Sequence, residues 1–420
     1  MKPKLLTTLA DYSPTLFGSD VIAGITVAIV ALPLSIAIAI ASGAPPAAGL
    51  ITAVIGGFLI SALGGSKVQI GGPTGAFIVV VFGVIEQHGY HGLVLATLMA
   101  GVILIIAGLL RAGRFIAWIP ETVIEGFTIG IAAIIAISQL KDVFGLSVAK
   151  VPADVIPKVE TLWRARDSLN LSALVIAVCA IVLIVLFRRL APRLPGLIVA
   201  VALVSAAVAI IALPVDTIAS RYGELPRGLP MPSFPPVTLA HLTELVPSAF
   251  VIAFLAGIES LLSAIVADRM IGSAHRSNAE LLAQGCANIG SALFGGLPAT
   301  GAIARTATNV RAGGKTPVAG MIHAAVILAI MFVAGPLVGF FAMPALAGLL
   351  LITAWNMSEP HRWGERLRLP MGDKLLLVLT LVLTIFADLT VAIAVGTAVG
   401  LAQRFVRRNA APADWTPSDR

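Results

Sequence analysis

Charge is what this 420-residue sequence has least of: Asp, Glu, Lys and Arg together make up 12%, against roughly 25% in soluble domains. Hydrophobic residues make up 58%, and the mean hydropathy is +1.00. A soluble globular chain is thereby excluded, and the sequence reads as an all-α polytopic membrane protein. Cysteine is nearly absent. Cys179 and Cys286 lie in apolar stretches without a CxxC or a nearby histidine, so neither a disulfide framework nor a zinc site is expected, and both read as packed spacers. No HExxH or GxSxG occurs, and none of the six histidines is followed by Glu, so intramembrane metalloprotease and serine-hydrolase chemistry lack their signatures. Without a nucleophile–base or metal cluster, an enzyme is not expected, and no cofactor or metal is called for. Gly314-Lys315-Thr316 resembles the end of a phosphate-binding loop, but Asn309 stands where that loop needs a glycine and no soluble strand precedes it. The first ~20 residues lack the apolar core and cleavage site of a signal peptide.

What is present is a succession of apolar runs. Measured against the ~20 residues that span a hydrocarbon core, fourteen segments emerge, seven on each side of the Pro-rich stretch Leu225 to Pro236. An odd number per half turns the second half over relative to the first, an inverted-topology repeat. The expected organisation is an N-terminal cytoplasmic segment (1–19), a first seven-segment repeat (20–213), an external linker (214–243), a second repeat (244–405) and a cytoplasmic tail (406–420).

The net charge of +7 is read as topology rather than as nucleic-acid binding. With both termini inside a bacterial inner membrane, twenty of the 28 Lys and Arg fall on the cytoplasmic side. Seven fall outside, in the two long external loops: Lys141, Lys150, Lys158, Arg164, Arg166, Arg221 and Arg227. Arg305 alone is left within the bilayer.

Arg305 belongs to Gly295–Thr316, a Gly- and Thr-rich island between apolar segments, and Ser61–Ala76 repeats the SAL, GG and TGA letters of Ser291–Ala302 about 230 residues upstream. Segments 73–86 and 299–311 are too short to span, since such helices rise only ~20 Å. Each reads as a re-entrant strand-then-helix unit, with strands at Lys67–Ile70 and Gly296–Pro298 and with Pro73 in the first turn of its helix. Two such helix starts meeting near the midplane would aim their N–H groups at an anion. The glycines of GGPTGA and ATGA would admit the ligand to the backbone; small-residue helix packing is their alternative.

A central arginine costs about 2.5–3.5 kcal/mol on insertion scales. Arg305 either leans toward the cytoplasmic surface near Arg311 or faces the anion, and the second reading is the stronger because intramembrane ionisable residues are functional by default. Glu259 is the other candidate, a carboxylate inside an apolar helix with Ser263 one turn on. A carboxyl that a proton or sodium ion can neutralise suits cation-coupled anion transport; a structural pair with Arg305 is the alternative.

The stretches 31–50, 71–77, 120–146, 258–264 and 277–320 together resemble the sulfate permease (SulP) family of anion transporters over essentially the whole chain. The resemblance implies a seven-plus-seven fold shared with uracil/xanthine permeases, a moving core and a gate, elevator-type alternating access and a homodimer in lipid. It implies an anion held between Thr74, Gly75 and Ala76 on one side and Thr300, Gly301, Ala302, Ile303 and Ala304 on the other, with Ile38 nearby and Arg305 beside it. Glu259 and Ser263 would hold the coupling cation, H+ or, alternatively, Na+. The substrate class implied is a small oxyanion or carboxylate: sulfate, bicarbonate or a C4-dicarboxylate. Three features depart from the family pattern: Leu34 where many members have Gln, Glu125 where a small polar residue is common, and no STAS domain within the 420 residues. A passive channel or uncoupled exchanger on the same scaffold is the competing function.

Overall fold

The structure, a computed structural model, describes residues 2–113, 120–191, 194–235, 238–387 and 389–406. Arg114, Arg193, Arg407, Arg408 and Arg420 of the charge assignment, and the tail beyond 406, lie outside the described residues. The first long helix, α1 (Pro14–Ala41), starts where the Ser13 hydroxyl accepts the Leu16 N–H at 3.3 Å, with Pro14 at the first helical position. A connection of a few residues leads to α2 (Pro46–Leu63), which contains one widened turn with i→i+5 bonding at Thr52–Gly56. Then come a two-residue strand, β1 (Gly71–Gly72), and α3 (Phe77–Leu109).

Two helices that meet at a kink make up α3. Gly89, at φ +70° and ψ −179°, interrupts it in a conformation that a side chain would oppose. The expected segments 73–86 and 91–110 are thus joined through a break at one glycine rather than through a loop. The first half continues with α4 (Glu121–Val143), α5 (Val155–Arg164), α6 (Leu171–Leu190), α7 (Gly196–Ile211) and the short α8 (Ile218–Tyr222). The second half holds α9 (Leu239–Ile271), α10 (Ser277–Leu293), strand β2 (Thr300–Gly301), α11 (Ile303–Arg311), α12 (Pro317–Val338), α13 (Met343–Met357), α14 (Met371–Phe386) and α15 (Leu389–Val406). Among the described residues, seven helices are at least 18 residues long and apolar enough to cross a membrane, with shorter apolar helices at Gly196–Ile211 and Val391–Gln403.

The helices pack in two groups. α1, α2, α3 and α9 to α12 pack on one another; α4, α6, α7 and α13 to α15 form the other group, and contact between the groups runs mainly through α1. The first group is drawn together by missing side chains. Where α3 crosses α10, a Cβ on Gly101 would lie 2.8 Å from the Gly285 carbonyl oxygen, and one on Gly285 would lie 2.7 Å from that of Gly101. Only hydrogen at both positions lets the two backbones touch, the close approach that membrane helices use to gain van der Waals contact.

Candidate functional site

The two strands are about 230 residues apart in sequence and pair antiparallel, Gly71 opposite Gly301 and Gly72 opposite Thr300, with the Ala302 N–H donating to the Ile70 carbonyl at 2.8 Å. The strands lie a few residues later than the expected Lys67–Ile70 and Gly296–Pro298. Pro73 is likewise outside its helix, because Thr74 to Ala76 form a turn and α3 begins only at Phe77, whose N–H bonds Thr74 O at 3.2 Å. Antiparallel pairing sends the helices that follow, α3 and α11, away in opposite directions, so that the N-terminus of each faces back toward the strands; in α3 the Phe77 and Ile78 N–H groups are taken by the Thr74 and Gly75 carbonyls at 3.2 and 3.1 Å. Thr74 is 9% exposed, Ala76 5%, Ala302 6% and Thr300 fully buried; Ile303 (41%) and Ala304 are exposed and mark the open side. Ile38 lies in the same buried cluster as Ala76 and Phe77.

The two charged candidates do not pair with each other. Arg305 is 2% exposed, and its Nη2 donates to Ser35 Oγ on α1 at 3.1 Å and to the Pro73 carbonyl at 3.0 Å. It therefore spans from α11 to the first-half backbone instead of leaning to a surface. Its Nη1 is buried without a hydrogen-bond partner among the described residues, and it lies where a Cβ on Gly72, at φ +148°, would come within 2.4 Å. Glu259 Oε2 instead accepts the Thr74 hydroxyl at 2.6 Å. A candidate coupling carboxylate and a candidate anion-site residue are thus bonded directly. Ser263 is turned to Thr306, Oγ to Oγ1 3.2 Å, and does not join Glu259. Thr300 donates to the Ala256 carbonyl at 3.0 Å.

A polar frame that the sequence reading did not single out holds this arrangement. Glu280, Gln284 and Asn288 are spaced four residues apart and share one face of α10. Glu280 Oε2 accepts the Gly65 and Ser66 N–H groups at 2.8 and 3.2 Å; its Oε1 accepts the Ser260 hydroxyl at 3.1 Å and the Gln284 amide at 3.0 Å. Gln69 Nε2 reaches Ser260 Oγ at 2.8 Å and occupies the space a Cβ on Gly301 would need. Asn288 brackets Ala299, donating to its carbonyl at 2.9 Å and accepting its N–H at 3.0 Å. Thr52, in the widened turn of α2, accepts the Leu297 N–H at 2.6 Å. Thr306 accepts the Ile70 N–H at 3.0 Å, and Asn309 donates to the Val68 carbonyl at 2.8 Å. Irregular backbone deep in an apolar bundle needs such partners for every N–H and C=O. Their i, i+4, i+8 spacing on α10 was the available signal.

Two residues from the second helix group complete the wall. A Cβ on Gly75 would lie 3.0 Å from Met357 Sδ at the end of α13 and 3.6 Å from Ile135 Cδ1 of α4. Beyond α13, Glu125 finds the role the sequence left open: its carboxylate pairs with Arg362 at 2.8 Å and with Arg366 at 3.3 Å. That network fixes the start of α4 to the α13–α14 connection, away from the paired strands.

A bundle of apolar helices folded around two interrupted segments, with buried polar residues tying them together, defines a membrane transporter rather than an enzyme. Residues 17–380 match the model of the Sulfate permease family, and the chain belongs to that family. It is 44% identical over 371 residues to YvdB of Bacillus subtilis (strain 168), whose name assigns it to sulfate transport, covering 88% of this chain and 70% of that one. It is 33% identical over 343 residues to the bicarbonate transporter BicA of Picosynechococcus, covering 79% of this chain and 60% of BicA. The chain thus spans 60–70% of the length of these curated relatives. Among solved structures, the transmembrane domain of a cyanobacterial bicarbonate transporter BicA superposes with a TM-score of 0.82 at 29% identity, covering 93% of this chain and 98% of that one. Murine Slc26a9, an anion transporter in the inward-facing state, superposes with a TM-score of 0.87, covering 96% of this chain and 71% of that one. At 21% identity that second likeness is one of fold alone.

Proposed function

We propose that the protein is a secondary active transporter that carries a small oxyanion or carboxylate (sulfate, bicarbonate or a C4-dicarboxylate) across a bacterial inner membrane by elevator-type alternating access, in symport with a proton. In this reading fourteen segments form the seven-plus-seven inverted repeat, both termini are cytoplasmic, the protein is a homodimer, and the α1–α3 and α9–α12 group moves against the other. The anion binds where the starts of α3 and α11 face the paired strands, held by backbone N–H groups and the nearby charge of Arg305. Glu259 takes up the proton.

The observation that carries the proposal is the 2.6 Å hydrogen bond from Thr74 to Glu259. It lets the charge state of the carboxyl reach the anion side through one hydroxyl. Sodium symport is the second reading, supported by the Thr74 hydroxyl on the Glu259 carboxylate; Ser263, one turn along the helix, is turned to Thr306 and would have to swing round to join them. The deciding experiment is uptake into proteoliposomes with each of the three anions under imposed pH or sodium gradients. A pH gradient should drive accumulation in the wild type, and Glu259→Gln should abolish accumulation while keeping anion exchange. Accumulation against a gradient by Glu259→Gln would sink the reading in which Glu259 couples the symport, and a wild type that neither gradient drives to accumulate anion would leave an exchanger or channel.

A further inference from the structure

Three of the seven cations assigned to the outside line one cavity of about 380 Å³, together with residues from both helix groups. Phe82 and Glu86 come from α3, the helix that starts at the candidate site. Lys141 and Asp142 come from the last turn of α4, Lys150 from the α4–α5 connection, and Arg221 from α8. Glu86 lies nine residues beyond the start of α3, so the cavity is offset about 13 Å along that helix from the paired strands, on the side read as external.

The charges in the cavity are unequally engaged. Arg221 is held by Asp142 at 2.7 Å and by Asp216 at 2.8 Å. Lys141 donates to the Val148 carbonyl at 2.7 Å. Lys150 is 79% exposed and faces Glu86 at 3.6 Å. Below them Lys158, 3% exposed, donates to Ser138 at 3.0 Å and stands over the Phe82 ring at 5.3 Å. Burial holds its ammonium below the usual lysine range, while Glu86 and Asp154 work against that. The Glu86 carboxylate already sits among these groups as an anion would, with Oε2 accepting the Ala153 N–H at 3.0 Å and Oε1 toward Lys150. Glu86 belongs to one helix group and its cradle to the other, so a slide of one group past the other withdraws the carboxylate. The cradle left behind has gained net positive charge and keeps a free backbone N–H.

We propose that this cavity is an outer staging site for the transported class of small oxyanion or carboxylate, its donors engaged by the Glu86 carboxylate in the state seen here and released when the helix groups slide. It rests on the transport reading above. Lys150 and Lys141 then attract the external anion, and Glu86 competes with it.

Two measurements test the site separately from transport. In uptake and efflux assays with sulfate, Lys150→Gln should raise the KM for external anion about threefold and leave the internal KM and Vmax unchanged, as expected for local electrostatic capture. Glu86→Gln should lower the external KM instead. Equal movement of both KM values, or no movement of the external one, overturns the proposal. The second measurement requires no transport: a thiol is introduced at Val151, which also lines the cavity, by Val151→Cys in a Cys179→Ser, Cys286→Ser, Glu86→Gln background and modified from outside with a thiosulfonate reagent. Millimolar external sulfate should slow that reaction about threefold, and Lys150→Gln should remove the protection. Absent protection overturns the staging site even if wild-type transport is robust; protection in a protein that carries none of the anions overturns the transport reading instead.

Discussion

Glu280 offers the sharpest test of how the site is held. Its carboxylate takes four hydrogen bonds: two from the Gly65 and Ser66 backbone leading into β1, one from Ser260 and one from Gln284. All four donors are deep in the protein; Glu280, Ser260 and Gln284 are fully buried. Glu280→Gln keeps the shape but replaces one acceptor oxygen by an NH2 group. Turned toward Gly65 and Ser66, the NH2 faces two backbone N–H groups that cannot re-orient; turned the other way it faces the Ser260 hydroxyl and the Gln284 amide, and re-orienting those to accept breaks the bonds that they now make. Each buried donor left unsatisfied costs about 1–3 kcal/mol, so about 2–6 kcal/mol is lost. For 420 residues unfolding entropy scales to about 1 °C per kcal/mol, so the melting temperature in detergent should fall by about 2–6 °C. The Gly65–Ser66 backbone is the anchor of β1, so sulfate uptake should fall alongside. A melting temperature within about 1 °C of wild type, with uptake retained, would refute the claim that this carboxylate secures the strand.

Other perturbations read other contacts. Gly75→Ala brings a Cβ to 3.0 Å from Met357 Sδ; uptake should drop severalfold and recover in the Gly75→Ala, Met357→Ala double variant, a coupling that a double-mutant cycle measures. Thr74→Val removes the donor to Glu259 and should weaken gradient-driven accumulation more than exchange, as compared in proteoliposomes. Tyr12, ahead of α1, has its phenol pushed up to about 12 by burial and then by the neighbouring Asp20 charge, to which it donates at 3.1 Å. Asp20→Asn should therefore lower that value toward 10, read as earlier tyrosinate absorbance in a titration against wild type.

How much of this was legible depended on range. The polar island around Arg305 and its upstream partner carry their own contrast against apolar surroundings, so the two stretches stood out by composition alone. Strand limits were misplaced by a few residues, because two-residue strands carry no periodicity and are defined by a partner some 230 residues away. Pro73 fits a helix start as well as the irregular position it occupies ahead of the Thr74–Phe77 turn, and nothing in the neighbouring residues separates the two. Glu125 could not be assigned from its own surroundings, since Arg362 and Arg366 lie far along the chain. The Glu280, Gln284 and Asn288 face was readable from its four-residue spacing, but a helix of mixed polarity does not announce which backbone groups it will serve. Met357 against Gly75 had no signal at all.

The pairing of β1 with β2 also governs how the chain comes to be assembled. Val68 O, Ile70 N–H, Ile70 O and the Gly71–Gly72 backbone find their partners only in residues 300–309. At 5–20 residues per second, a ribosome needs roughly 10–50 s to make the intervening ~230 residues. Throughout that interval the first half holds unsatisfied backbone groups in an apolar environment. Synthesis order thus imposes a waiting period in which the nascent protein depends on water, insertion machinery or chaperones, and a stalled or truncated product is marked for recognition by open N–H and C=O groups that a finished molecule conceals.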